Sequence, residues 1–283
     1  MTHMLYQQLN QASAKPELWS VYNADQLWTT PHLAKQMLAF HLNGDIPLAS
    51  RSFQFMDSSV AWLIAQLELN QHSRTIDFGC AVGHYCQRLK TAGIGTVVGL
   101  DFSKSSIDYA KQQADKQQLD IEYHLGNYLD FHDPRQFDLI TLVMCDLCAL
   151  SPQQRSQLFA KFKSLLTKHG AIALDVYTAE RFAGLTESVS IGQNSMNGFW
   201  SSNDYWCIQA NHLYPEQLVS LDKYTICQHQ HQQVVYNWLQ HFTLESLSDE
   251  LAVHGLVIEH HFSDLCGTPY AGGDELAVII RHA

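Results

Sequence analysis

Three observations predict an α/β fold built on a mostly parallel sheet. From residue 73 onward, apolar runs at 74–78, 96–101, 120–125, 137–144 and 170–177 alternate with segments long enough for a helix, the pattern of parallel strands with crossover helices. The first run ends in "DFGCAVG", residues 77–83, an acid followed by two glycines four apart at the opening of a helix. The chain closes on "LVIEHHF" and "ELAVIIRH", joined by a Gly- and Pro-bearing loop. Two strands joined without a helix must pair antiparallel or sit apart in the sheet.

The elements follow in order. Before residue 73, "PHLAKQMLAFHL" and "SSVAWLIAQLEL" read as helices joined by the loop "NGDIPLASRSFQFMD". After the first strand, "YCQRLKTAG" reads as a helix stopped at Gly93. In "SKSSIDYAKQQADKQQ", Ser103 is the expected N-cap, and Ile107, Ala110 and Ala114 keep helical spacing. "SPQQRSQLFAKFKSLLTKHG" places Pro152 in its first turn, Leu158, Phe162, Leu165 and Leu166 on one face, and Gly170 as the expected stop. Between residues 178 and 240, "YWCIQANHLY", "EQLVSLDKYTICQ" and "HQQVVYNWLQHF" look like strands without intervening helices, a small antiparallel layer inserted into the main domain. "FTLESLSDELAVHG" then reads as a helix leading into the closing strands.

Composition narrows the function classes. The 283 residues are 46% hydrophobic and 16% charged, with no low-complexity tract, as in an ordered domain rather than a disordered chain. The net charge of −11 gives no general attraction to phosphate backbones or anionic lipid, so neither nucleic acid nor a membrane is the expected partner. No apolar run approaches the roughly 18 residues needed to span a bilayer, and the first residues lack a signal-peptide layout, so a cytoplasmic location is expected. Seven scattered cysteines read as reduced core thiols, and the pair Cys145 and Cys148 lacks the second pair a zinc site would need. Sixteen histidines, among them His229, His231, His260 and His261, match no spaced ligand set, so no metal is expected.

Ligands of open parallel sheets bind beyond the carboxyl ends of the strands, where a glycine turn lets the backbone come close. In "DFGCAVG", Gly79 and Gly83 would give that approach, and helix-opening N–H groups can meet a carboxylate or phosphate. "TVVGLDFS" places Asp101 at the tip of the second strand, where a carboxylate can accept both hydroxyls of a ribose. A nicotinamide site would show G-x-G-x-x-G. Here Ala81 and Val82 fill the middle and Asp77 precedes the first glycine, which demotes a dinucleotide.

The run Asp77, Phe78, Gly79, Cys80, Ala81, Val82, Gly83 resembles motif I of the class I S-adenosylmethionine-dependent methyltransferases, with Ala81 in place of the middle glycine. The resemblance continues at Asp101, the ribose position, at Phe102, an adenine contact, and at Asn127 in "LGNYLDF", where an acid or amide reads the adenine amino group and Tyr128 follows. It continues too at Cys145 and Asp146, in the region facing the methionine end of the cofactor and the acceptor. It covers roughly residues 73–178 and 242–283. What it implies is a Rossmann-like three-layer sandwich with a mostly parallel seven-stranded sheet and an antiparallel last strand. Residues 1–72 would form a helical lid, 73–178 with 241–283 the cofactor-binding core, and 179–240 the inserted antiparallel layer capping the substrate. S-adenosylmethionine would be the cofactor, S-adenosylhomocysteine the product, and a small molecule the acceptor. By analogy with glycine N-methyltransferase, Arg51 is the candidate for the cofactor carboxylate.

Methyl transfer from a sulfonium loses charge as it proceeds, so alignment and water exclusion matter more than a strong catalyst. Where a base helps, Asp146, His84, Tyr22 and Tyr85 are the candidates. Each also has a plain structural role: His84 and Tyr85 can pack the first helix, Tyr22 can be lid core, and Asp146 can cap the next helix. The aromatics Phe199, Trp200, Tyr205, Trp206 and Trp238 suit a core, the usual fate of aromatics at strand spacing; the other reading is that some line a pocket for a mostly apolar acceptor. Two other functions fit less of the pattern, a non-catalytic S-adenosylmethionine-binding sensor or scaffold and an NAD-dependent oxidoreductase. No N-P-P-[YF] run identifies a nucleic-acid amine acceptor, and the exposed strands of 199–240 leave pairing into a homodimer open.

Overall fold

The computed structural model describes residues 2–44 and 50–283; residues 45–49 of the expected lid loop lie outside the described residues. Its N-terminal helices are α1 (Thr2–Ser13), α2 (Gln26–Thr29), α3 (Pro31–Leu42) and α4 (Phe53–Gln66). Then follow β1 (Arg74–Phe78), α5 (His84–Thr91), β2 (Thr96–Asp101), α6 (Lys104–Gln117), β3 (Glu122–Leu125), β4 (Phe137–Leu142), α7 (Pro152–Leu165) and β5 (Leu166–Tyr177). The inserted strands are β6 (Ser188–Gln193), β7 (Trp206–Tyr214), β8 (Val219–Cys227) and β9 (Gln232–Gln240). A helix at Leu244–Ala252 precedes β10 (Leu256–Phe262) and β11 (Glu275–His282).

The main sheet has seven strands in the order β10-β11-β5-β4-β1-β2-β3. Only β11 runs against the others, pairing antiparallel with both β5 and β10. Strand order reverses between β1 and β4, the switch point where a doubly wound sheet opens a crevice at its carboxyl edge. One face buries Phe78, Phe137, Phe159, Phe162 and Leu174 with the helix Leu244–Ala252. The other buries Met56, Leu63, Cys86, Leu89 and Ile107 from α4, α5 and α6. The expected three-layer architecture is therefore present, and among the described residues no helix is long and apolar enough to cross a membrane.

Several boundaries differ from expectation. Helix α4 starts at Phe53, inside the stretch read as loop, because Ser52 Oγ caps it by accepting from Phe55 N at 3.2 Å. Met56, Ser59, Val60 and Leu63 then keep one buried stripe. Helix α1 was invisible as a periodic pattern: Met4, Leu5, Tyr6 and Leu9 stay exposed and Ala12 is its buried residue. Gly170 does not stop α7; the helix ends at Leu165 and β5 begins at once, with Leu166 opposite Phe137 and an irregular register before Ala171 meets Leu139. Gly170 belongs to that irregularity, where an added Cβ would come 2.7 Å from Phe137 O.

The inserted layer has four strands in the order β6-β7-β8-β9, all antiparallel. β6 escaped notice because its pattern is serine alternating with Val189 and Ile191, both about 60% exposed. The insert leaves and rejoins the core at one point, a bridge between Thr178 and Phe242 with Phe242 N donating to Tyr177 O at 2.8 Å. The N-terminal segment rests on this insert. Lys223 Nζ donates to Gln11 O and Ala14 O, Trp238 Nε1 donates to Val21 O, and the Trp19 and Trp238 rings lie 5.3 Å apart. On the other side, Leu33 and Met37 of α3 pack with Phe199, Trp200, Tyr205 and Cys207. The N-terminal segment and the insert thus form one packed unit. Of the aromatic group, Phe199, Trp200, Tyr205 and Trp238 are buried in these contacts, and Trp206 is half exposed.

Candidate functional site

The crevice at the carboxyl ends of β1 and β4 is a cleft with an empty volume of about 930 Å3, its open mouth included. Asp77, Gly79, Cys80 and Ala81 of the glycine turn line it, with Asp101 and Phe102 from the tip of β2. Tyr128, Asp146, His84, Tyr85 and Arg51 complete the expected residues on its walls.

The turn is held by its own backbone. Gly79 N and Cys80 N both donate to Leu100 O, at 2.8 and 3.0 Å, and Gly83 N donates to Cys80 O at 2.8 Å. Ala81 N donates to Asp101 Oδ2 at 2.9 Å. Those four turn N–H groups are therefore already engaged. Ala81 stands at φ +46°, a left-handed position that costs an L-residue about 1–2 kcal/mol and explains why a glycine was expected there. Gly83 does not line the cleft. Its φ of +78° and missing side chain serve Tyr123, whose hydroxyl would lie 2.2 Å from an added Cβ.

Three carboxylates face the cleft. Asp77 is almost fully buried, with Thr141 Oγ1 donating to its Oδ1 at 2.6 Å; burial pushes its pKa up to about 7, with the neighbouring charges of Asp101 and Asp146 adding to the shift. Asp101 accepts from Ala81 N and, at 2.7 Å, from Ser103 N, and burial also raises it. Asp146 opens a short 3-10 turn, Asp146–Ala149, and is hydrogen-bonded by Tyr128. Burial lifts its pKa to about 6, helped by the charges of Asp101 and Asp175. Its Oδ2 lies 3.2 Å from where a Gly79 Cβ would stand, so the missing side chain keeps this carboxylate against the turn.

Arg51 reaches the cleft but is already engaged. Its Nη2 donates to Asp175 Oδ2 at 2.6 Å and its Nη1 to Glu275 Oε1 at 2.9 Å, with Glu275 Oε2 also 2.6 Å from Nη2. It occupies the place where Cys145, Asp175 and Glu275 converge. The guanidinium expected to meet a ligand carboxylate is thus held by two acids, from β5 and β11.

Two further expected cofactor residues lie away from the cleft walls. Asn127 turns inward on its own loop, its Oδ1 accepting from Leu129 N at 2.9 Å, and the next residue, Tyr128, faces the cleft instead. Met144 and Cys145 are both left-handed, at φ +68° and +56°. That kink turns Met144 and Asp146 to the cleft and buries Cys145, whose N–H donates to Asp175 Oδ1 at 2.8 Å. Cys148 is also buried, and its Sγ accepts from Tyr177 N.

The four candidate bases separate by environment. His84 Nε2 donates to His41 O at 2.9 Å, and burial lowers its pKa, so the ring is neutral with Nδ1 as its acceptor. Tyr85 is buried and donates to Ser59 Oγ at 3.3 Å; burial raises its pKa. Tyr22 is not among the residues lining the cleft; burial, with the charges of Asp146 and Asp25, raises the pKa of its phenol. Asp146 and neutral His84 remain as proton acceptors at the cleft.

The sequence reading missed Trp28, His41, Met56, Val143 and Tyr177. His41 is buried on α3, bonded through Nδ1 to Ser50 Oγ at 2.8 Å and stacked on Trp28. Tyr177 was findable: it is the last residue of β5, and strand tips are where Asp101 was sought.

Comparison with known proteins agrees with this geometry. Residues 76–170 match the family model described as a methyltransferase domain. A curated relative from Geobacillus sp. (strain WCH70) that carries a methyltransferase name is 26% identical over 151 residues, 50% of this chain and 60% of its own length. The chain thus spans less than two thirds of that relative. Among solved structures, a S-adenosylmethionine-dependent methyltransferase from Clostridium acetobutylicum superposes with a TM-score of 0.67 at 11% identity, over 88% of this chain and 99% of that one. The CcbJ methyltransferase from Streptomyces caelestis gives 0.62 at 14% identity, over 80% and 90%.

Proposed function

We propose that this chain, a member of the class I S-adenosylmethionine-dependent methyltransferases, transfers a methyl group from S-adenosylmethionine to a small-molecule acceptor by in-line displacement and releases S-adenosylhomocysteine. The observation that carries the reading is electrostatic. Asp77, Asp101 and Asp146 face one cleft, and the arginine on its wall is bound to Asp175 and Glu275. Buried like charges raise one another's pKa until a cation joins them. A ligand bearing a sulfonium and an ammonium relieves that repulsion, whereas the diphosphate of a dinucleotide would add to it and find four turn amides already engaged.

Bound there, the donor would supply a methyl group activated by a positive sulfur. The chain's residues would do the rest. Asp101 is bonded by the backbone amides of Ala81, Ser103 and Phe102, and what remains of its roughly four acceptor sites would take ribose hydroxyls. Phe102, Val82 and Val143 offer apolar walls. Asp146, oriented by Tyr128, is ionised at neutral pH and stands ready to receive the acceptor's proton, with His84 Nδ1 as the other site. In this reading residues 1–72 cover the cleft, 73–178 with 241–283 hold the donor, and 179–240 face the acceptor.

Calorimetric titration tests the donor assignment. S-adenosylmethionine is expected to bind in the micromolar range and NAD to give no heat. Binding of NAD in preference would return "DFGCAVG" to the status of an ordinary glycine turn.

A further inference from the structure

A second cavity lies behind one wall of the cleft. Arg181 and Thr186, just after β5, face Asn211, Ser220, Asp222 and His241 across an empty volume of about 670 Å3, its open mouth included. The partition between the two spaces is one side chain thick. Tyr177 lines the cleft, the Arg181 guanidinium lies over that same ring 4.3 Å from its centroid, and the His241 ring is 6.0 Å away.

Two residues lining this cavity, Asn211 and Asp222, belong to a polar row on the inserted sheet. Ser188 on β6 pairs with Asn211 on β7, Asn211 with Asp222 on β8, and Asp222 with Asn237 on β9. Because side chains directly opposite share a face, these four form one polar row across all four strands. The row is hydrogen-bonded along its length: Ser188 Oγ donates to Asn211 Oδ1 at 2.8 Å, Asn211 Nδ2 donates to Asp222 Oδ1, and Asn237 bonds the same carboxylate. The donors all run toward Asp222, fixing a carboxylate that retains acceptor sites. Arg181 gives one N–H to Asp274, at 3.3 Å, and has four others.

The charges decide the ligand. An anion in this space would meet Asp222, and a cation would meet Arg181. A neutral group with several hydroxyls satisfies both, donating to the carboxylate and accepting from the guanidinium. We propose that this cavity binds the non-reacting part of the methyl acceptor and that this part is a neutral polyhydroxylated group. The inference rests on the methyl-transfer reading, and it differs from the alternative of an apolar acceptor pocket lined by the insert's aromatics. Binding energy gathered there would position the reacting atom on the other side of Tyr177.

The test is a ligand-observed NMR and calorimetric titration of the full chain with neutral polyols (methyl glycosides and inositols), amino sugars and sugar acids, with and without S-adenosylhomocysteine. Asp222→Asn and Arg181→Met are titrated alongside the parent protein. The expected result is binding of a neutral polyol that each variant weakens tenfold or more, with S-adenosylmethionine affinity unchanged within twofold. The proposal is overturned if no neutral polyol binds, if charged members bind more tightly, or if binding survives both substitutions. Loss of S-adenosylmethionine binding in the parent protein would instead strike the methyl-transfer reading, which the titrations without donor keep separate.

Discussion

Replacing Asp101 by alanine is expected to weaken S-adenosylmethionine binding at least a hundredfold. Two effects add. The substitution removes the acceptor of Ala81 N and Ser103 N, at 2.9 and 2.7 Å, and so releases a turn whose Ala81 is held at positive φ. It also removes the carboxylate proposed to accept ribose hydroxyls. Hydrogen bonds to charged groups contribute about 1.5–3 kcal/mol each, and about 1.4 kcal/mol is tenfold in affinity, so losing two such ligand bonds alone reaches a hundredfold. Asp101→Asn keeps the shape but must turn an NH2 group toward one of the two amides, and it is expected to lose affinity by a similar factor. Calorimetry reads the affinity and circular dichroism confirms that each variant is folded. Binding within threefold of the parent protein would remove Asp101 from the donor site.

The second large effect is on pH. Burial, the main cause in both, pushes Asp77 up to about 7 and Asp146 up to about 6, so each of these two carboxyls keeps its proton in the folded state over an interval, from about pH 4 upward, in which the unfolded chain has lost it. Stability contributed by these protonated carboxyls is present below the unfolded value and lost as pH rises through 6 and 7. The unliganded protein should therefore become less stable from pH 5 to pH 7.5. The donor, being cationic, prefers the ionised carboxylates, so its affinity should rise over the same interval by roughly tenfold, the factor for one pKa unit of linkage. Buried histidines act the other way: burial lowers His84 and, to about 4, His241, so below about pH 6.5 the unfolded chain takes up protons the folded state does not, and this offsets part of the carboxyls' effect on stability. Thermal melting across pH with and without S-adenosylmethionine checks both signs at once; a flat affinity, or one that falls with rising pH, would show that the cleft carboxylates do not meet a positive ligand.

Much of this site was legible because local pattern dictates it. Strand tips are set by apolar runs, so Asp77, Asp101 and the region of Asp146 could be placed at one edge of a sheet before any coordinates. What stayed hidden depends on contacts between distant segments. Nothing local to Arg51 signals that Asp175 and Glu275, 124 and 224 residues away, already hold it. Nor does anything local to Asn127 signal that its amide serves a turn two residues long, a use that competes with ligand binding at any Asn in a loop. The kink at Met144 and Cys145 reverses which of two neighbours faces the cleft, and β-branched or glycine signals for it are absent. Strand β6 and helix α1 lie on surfaces where apolar residues stay exposed, so neither carries the periodicity that reveals buried elements. The polar row from Ser188 to Asn237 appears only once the register of four strands is known.

Methyl transfer itself is the central claim. The most direct measurement incubates the purified chain with methyl-labelled S-adenosylmethionine and a fractionated pool of small hydrophilic metabolites, then follows label by mass spectrometry. The account predicts label in a small-molecule product together with stoichiometric S-adenosylhomocysteine, both lost in Asp101→Ala. Tight donor binding without any transfer across the pool would contradict it and point to a protein that binds S-adenosylmethionine as a sensor or scaffold.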